Sequence, residues 1–126
     1  MKKATFKDLI AKKRQKEEEL HKFKEIEVKS LGKSLIFKKP SDETILSVLD
    51  DIGTDPDTRK ITTAYKNLIY KTCEPLQDQE LHKELGIVDP YDVVNAIFEL
   101  SDILAIGEEL FEFSGIGSLG EEVKNS

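Results

Sequence analysis

Residues 24 to 40 read KEIEVKSLGKSLIFKKP, and the period of that stretch decides the fold. Glu25-Ile26-Glu27-Val28-Lys29 alternates polar with apolar, the pattern of a strand with one face in a core and the other in water. Ser30-Leu31-Gly32-Lys33 supplies a turn in which Gly32 can take a positive φ without steric cost. Ser34-Leu35-Ile36-Phe37-Lys38 returns as a second strand, and Pro40, lacking an amide to donate, ends it. The spacing predicts a β-hairpin over about 24 to 39. On both sides of it the period is helical.

Downstream, Ser41 can cap a short helix whose Ile45, Leu46, Leu49 and Ile52 are expected to face inward, with Gly53 just past its end. Asp55-Pro56 predicts a restart, because a carboxylate accepts orphan amides and proline's fixed φ suits the first helical turn. Ile61, Ala64, Tyr65, Leu68, Ile69 and Thr72 then fall at helical spacing, with Arg59, Lys60, Lys66 and Asn67 opposite. Pro75 ends or bends that helix. A short helix near 77 to 85 stops at Gly86, and Asp89-Pro90 repeats the cap-plus-proline signal. Val93, Val94, Ile97, Phe98 and Leu100 continue a core face. Ser101-Asp102 starts a further helix carrying Ile103, Leu104, Ile106, Leu110, Phe111 and Phe113, or the preceding helix runs through.

Upstream, Thr5 with Asp8 three residues on forms a weak capping box, and Phe6, Leu9 and Ile10 share one helical face. Lys12 to Glu19 is polar throughout (KKRQKEEE) and cannot bury a core face, so it is a solvated helix or an arm that orders on a partner. The expected class is α+β, mostly α: an N-terminal helix, one small hairpin, then a compact bundle of four to five short helices. Residues 1–23 form a charged arm and residues 24–114 one globular domain, with the hairpin at 24–39 and helices over 41–113. Residues 115–126 form a flexible Gly/Ser-rich tail.

With 126 residues, the chain has room for one core that can stand without disulfides or a structural metal. The single cysteine, Cys73, reads as an intracellular, reduced protein. No run of apolar residues is long enough for a membrane span, and the Lys-rich start leads into charged sequence, so membrane and secretory readings fall. Charge is segregated along the chain. Residues 1 to 40 hold 13 of the 19 Lys and Arg and 6 of the 25 Asp and Glu, a net of +7, which leaves −13 for the remainder. That asymmetry points to an interaction end.

Motifs with chemical potential are few. Gly115-Ile-Gly117-Ser-Leu-Gly120 matches G-x-G-x-x-G, but it follows a helix and leaves no room for the second strand of a dinucleotide site. Asp50, Asp51, Asp55 and Asp57 lack the ligand spacing of a calcium loop. Asp78 and His82 share a helix face with Cys73 nearby, too few ligands for a metal, with His21 the only other histidine. No nucleophile elbow, phosphate loop or paired carboxylates appear, so an enzyme is not expected and no cofactor is called for. Lys2, Lys3, Lys7, Lys12, Lys13, Arg14 and Lys16 could displace counterions from nucleic-acid phosphates. Glu17 to Glu19 would repel the same backbone and few aromatics interleave, which makes nucleic acid the lesser reading.

The order Leu68-Ile-Tyr70-Lys-Thr-Cys73-Glu-Pro75-Leu76, then Asp78, Leu81, Glu84-Leu-Gly86-Ile87-Val-Asp89, Val93-Val94, Ala96-Ile97-Phe98 and Asp102-Ile103 through Phe113-Ser114-Gly115 resembles the XkdN-like tail assembly chaperones of tailed bacteriophages and defective prophages. The hairpin followed by acid-rich helix starts fits the same family, and the likeness covers roughly residues 24 to 115. It implies a non-catalytic protein of the bacterial host cytoplasm that binds the long, helical tape measure protein and keeps it soluble during tail morphogenesis. Such a protein is not expected in the mature virion. The expected partner-binding positions are exposed apolar residues of the last helices, Phe98, Leu104, Phe111 and Phe113. The family also implies a longer, frameshifted product that recruits tail tube protein, with Val123-Lys124-Asn125 a candidate for slippery codons. Two further classes stay open: a small basic-armed nucleic-acid-binding regulator and a structural tail component.

Overall fold

The computed structural model describes residues 1–116. Helix α1 spans Phe6–Glu19, strands β1 and β2 span Phe23–Val28 and Lys33–Lys38, and helices α2 to α6 span Asp42–Ile52, Thr58–Thr72, Gln79–Glu84, Asp92–Ile97 and Leu100–Ser114, with a 3-10 turn at Glu74–Gln77. The protein is therefore α+β and mostly α, as the periodicities predict.

The hairpin is antiparallel, with Ile26 opposite Leu35 and Glu25 opposite Ile36, and Gly32 takes φ 71° in its turn. Its alternation becomes burial directly. Ile26, Val28 and Phe37 enter the core, while Glu25, Glu27, Ile36 and Lys38 face water. Beneath them lies α3, whose Ala64, Tyr65, Leu68 and Ile69 are buried between α2 and α6. Each large apolar side chain removed from water there contributes about 1.5–3 kcal/mol, so α3 is the fold's organising element.

Helices α3 and α6 approach closely because α6 carries Gly107 opposite Tyr65. A Cβ at Gly107 would stand 2.3 Å from the Tyr65 ring. The ring also packs at 5.8 Å from Phe111, and its hydroxyl donates to Glu108 Oε1 at 3.0 Å. A second tie joins α6 to the hairpin. The Asp102 carboxylate accepts from the Ser30 hydroxyl, from the Ser30 amide at 3.2 Å, and from the Glu99 amide at 2.9 Å. One side chain thus caps α6 and anchors a turn 72 residues away. Burial works to raise its carboxyl pKa, but these hydrogen bonds outweigh burial and hold it below the ordinary value.

Several local expectations are corrected. Helix α2 buries Ile45, Val48 and Ile52, whereas Leu46 and Leu49 stay 54% and 38% exposed. Helix α3 starts later than Asp55-Pro56 predicts: Asp57 is its cap, accepting from the Lys60 amide at 2.8 Å. Asp89-Pro90 caps no helix but forms a turn, with Asp89 accepting from the Tyr91 amide at 3.1 Å ahead of α5. Of the two options at Ser101-Asp102 the break is the one observed, since Phe98 is extended (φ −96°, ψ 141°) between α5 and α6, and Leu100 is exposed.

Candidate functional site

The four positions singled out for partner binding separate into two groups. Phe98 and Phe111 are core residues, 5% and 1% exposed, so no partner reaches them on the folded surface. Leu104 and Phe113 are half-buried. The cause is geometric: α6 turns Ile103, Ile106, Leu110 and Phe111 onto α3 and carries Leu104 and Phe113 round to its edge.

Apolar side chains left in water are scattered over the surface, as at Phe23, Ile36, Val88 and Leu100, and two groups of them form stripes on helices. The first is on α1, where Phe6, Leu9 and Ile10 are 79%, 63% and 41% exposed and no residue of the helix is buried. Its cap is complete, with the Thr5 amide donating to Asp8 Oδ2 at 2.8 Å and the Asp8 amide donating to Thr5 Oγ1 at 3.3 Å. The backbone amide of Thr5 holds the Asp8 carboxyl below its usual range. At the other end Glu19 bridges Lys22 at 2.6 Å and Lys39 at 3.1 Å. Those contacts set α1 against the body so that Lys12, Lys16 and Glu19 line a recess with Lys39, Asp42 and Ser114. Phe6 and Ile10 lie roughly a third of a turn round the helix from Lys12 and Lys16 at 3.6 residues per turn and so turn away from that recess, whereas Leu9 lies beside Lys16 at its edge.

The second stripe is on α2. Leu46 and Leu49, with Ile45 and Asp42, border a mostly apolar groove closed on its far side by Ile116, just beyond α6. Every charge on α2 is negative (Asp42, Glu43, Asp50, Asp51). Sequence reading assigned Leu46 and Leu49 to the core; their position on the second apolar face of α2 is what leaves them outside.

The residues with potential reactivity are engaged structurally. Cys73 is fully buried at the end of α3, and burial pushes its thiol up to about 11, far from the thiolate a nucleophile needs. His82 is buried, with Nε2 2.6 Å from the Leu76 carbonyl oxygen. Asp78 caps α4 by accepting from the Glu80 amide at 2.8 Å. Among the described residues no three His, Cys, Asp or Glu side chains cluster to hold a metal, and no helix is long and apolar enough to cross a membrane. Gly115 ends α6 with φ 88°, so the glycine pattern does follow a helix; Gly117, Gly120, the slippery positions and the rest of the expected 115–126 tail beyond Ile116 lie outside the described residues. Comparison with protein-family models, curated proteins and solved structures finds no match to this chain.

Proposed function

We propose that this chain is a tail assembly chaperone of the XkdN-like kind, which binds the tape measure protein and keeps it soluble in the host cytoplasm while the tail is built. One observation carries the reading: Phe6, Leu9 and Ile10 on α1 and Leu46 and Leu49 on α2 form two exposed apolar stripes beside a core already filled by others. A holdase must present apolar surface without giving up its own stability, and a helix with a hydrophobic stripe is the partner such surfaces accept. None of Phe6, Leu46 and Leu49 belongs to the core cluster or packs against it, so the body has no internal need for them. The chaperone acts by covering its client and carries out no chemistry. A frameshifted longer product recruiting tail tube protein belongs to the same proposal.

Co-expression with a phage tape measure protein tests the reading. The client is expected to become soluble and to co-purify, and Leu46→Asp is expected to lower capture about tenfold, the effect of roughly 1.4 kcal/mol, with an unchanged circular dichroism spectrum. Equal client solubility with and without the chain, or its stoichiometric retention in finished virions, would overturn it. The exposed cations Lys12, Lys13 and Arg14 favour a second reading, nucleic-acid binding. That reading requires an affinity that falls steeply with salt and is lost when the three are neutralised.

A further inference from the structure

The two exposed stripes match each other. On α1, Phe6, Leu9 and Ile10 are edged by Lys7 and Arg14; on α2, Leu46 and Leu49 are edged by Glu43 and Asp50. Both charged pairs are seven residues apart, two helical turns or about 10 Å, and each pair lies on one flank of its stripe. None of these four charges makes an ion pair among the described residues. An apolar seam with cations along one edge is therefore matched, elsewhere on the same chain, by an apolar seam with acids at the same spacing.

The chain's own α1 cannot close this match as it stands. Glu19 holds its end to Lys22 and Lys39, and Phe6 and Ile10 turn outward from the recess that α1 forms with Asp42. From these observations we infer that a second copy of this chain supplies the complement: α1 of each protomer lies on α2 of the other, along the groove of Leu46, Leu49 and Ile116. The arrangement is isologous, since α1 meets α2 twice across a two-fold axis and leaves no open end. It covers Phe6, Leu9, Ile10, Leu46 and Leu49 at once, and it gives α1 the tertiary support that a solitary helix of this length lacks in water. The inference uses only the chain's own surfaces and does not depend on the identity of a client, which would have to displace the second copy to reach the same stripes.

Light scattering coupled to size exclusion on the full chain provides the test, with charge reversal to check the pairing. The wild type is expected to be a dimer, and K7E/R14E and E43K/D50K are each expected to be folded monomers whose circular dichroism falls by no more than the fraying of α1. Mixed in equal amounts, the two reversed variants are expected to regain the dimer, because the acidic α1 of one now faces the basic α2 of the other. Leu46→Asp is expected to give a monomer in either charge background. A wild type that stays monomeric at roughly 100 μM, far above micromolar dissociation constants, would overturn the inference. So would a dimer that survives the α1 reversal, which would place some other surface or occupant in the contact, or reversed variants that fail to recombine.

Discussion

Helices α1 and α3 are nearly equal in length, 14 and 15 residues, yet α1 buries no residue and α3 buries six. Their termini are alike in kind, since a Thr5 or Asp57 side chain receives an amide of the first turn in each. What separates them is tertiary. Helix α3 is held by α2, α6 and the hairpin, and its stability is that of the whole core. Helix α1 is held by a capping box, a Lys13–Glu17 pair at 3.3 Å and the Glu19 bridges, surface contacts that water and salt weaken. The same local grammar therefore yields a structural pillar in one place and a conditional element in the other.

The sharpest break in that comparison is Gly107→Ala. Alanine favours a helix over glycine by about 1 kcal/mol, so the substitution would stabilise an exposed helix. On α6 it drives a methyl into the buried Tyr65 ring, 2.3 Å away. A net loss of about 3 kcal/mol is expected, read by urea denaturation. In a Tyr65→Ala background the same change should be nearly neutral, because the clash is pairwise. An additive loss would show that the close α3–α6 approach is not what requires glycine.

A smaller effect is expected at Asp102, which joins the hairpin to α6. Asp102→Asn keeps the shape but removes the charge accepting three hydrogen bonds, a loss of about 1–3 kcal/mol at neutral pH. The native carboxyl titrates below its ordinary 3.8. Its contribution is therefore fully present above 3.8 and is lost as pH falls through the lower folded value. The gap between wild type and variant should close in that acid window and stay constant above it. A gap that persists in acid would mean the carboxylate charge is not its source.

These two residues also mark how far the sequence could be read. The hairpin was legible because a period of two is written in adjacent residues, and α3 because six apolar positions agree on one face. Helix α2 was half legible. Ile45 and Ile52 fit a face with either Leu46 and Leu49 or Val48, and only the position of α3 decides for Val48. Asp55 and Asp57 both flank Pro56 as plausible caps, and local pattern does not rank them. Asp102 was readable as a helix start, but its bond to Ser30 depends on chain folding across 72 residues. Gly107 carried no readable signal, since its role exists only where the Tyr65 ring lies. The site followed the same rule: Phe98 and Phe111 were picked as apolar and terminal, and tertiary packing turned them inward.

The smallest effect on global stability is expected from Thr5→Ala, and it separates the two regions most cleanly. Losing the cap costs a helix about 1 kcal/mol, which for α3 would be felt by the whole fold. In α1 nothing else depends on it, because no residue of the helix is buried. In dilute solution, with copies apart, the variant should lose helical signal and amide protection over residues 6–19 while its unfolding midpoint stays unchanged. Hydrogen exchange followed residue by residue reads both quantities in one experiment, since α1 opens locally and the α3 amides open only with the core. Protection in α1 equal to that in α3, or a midpoint that falls with the cap, would mean that the arm is part of the cooperative unit and that the contrast between the two helices is one of surface alone.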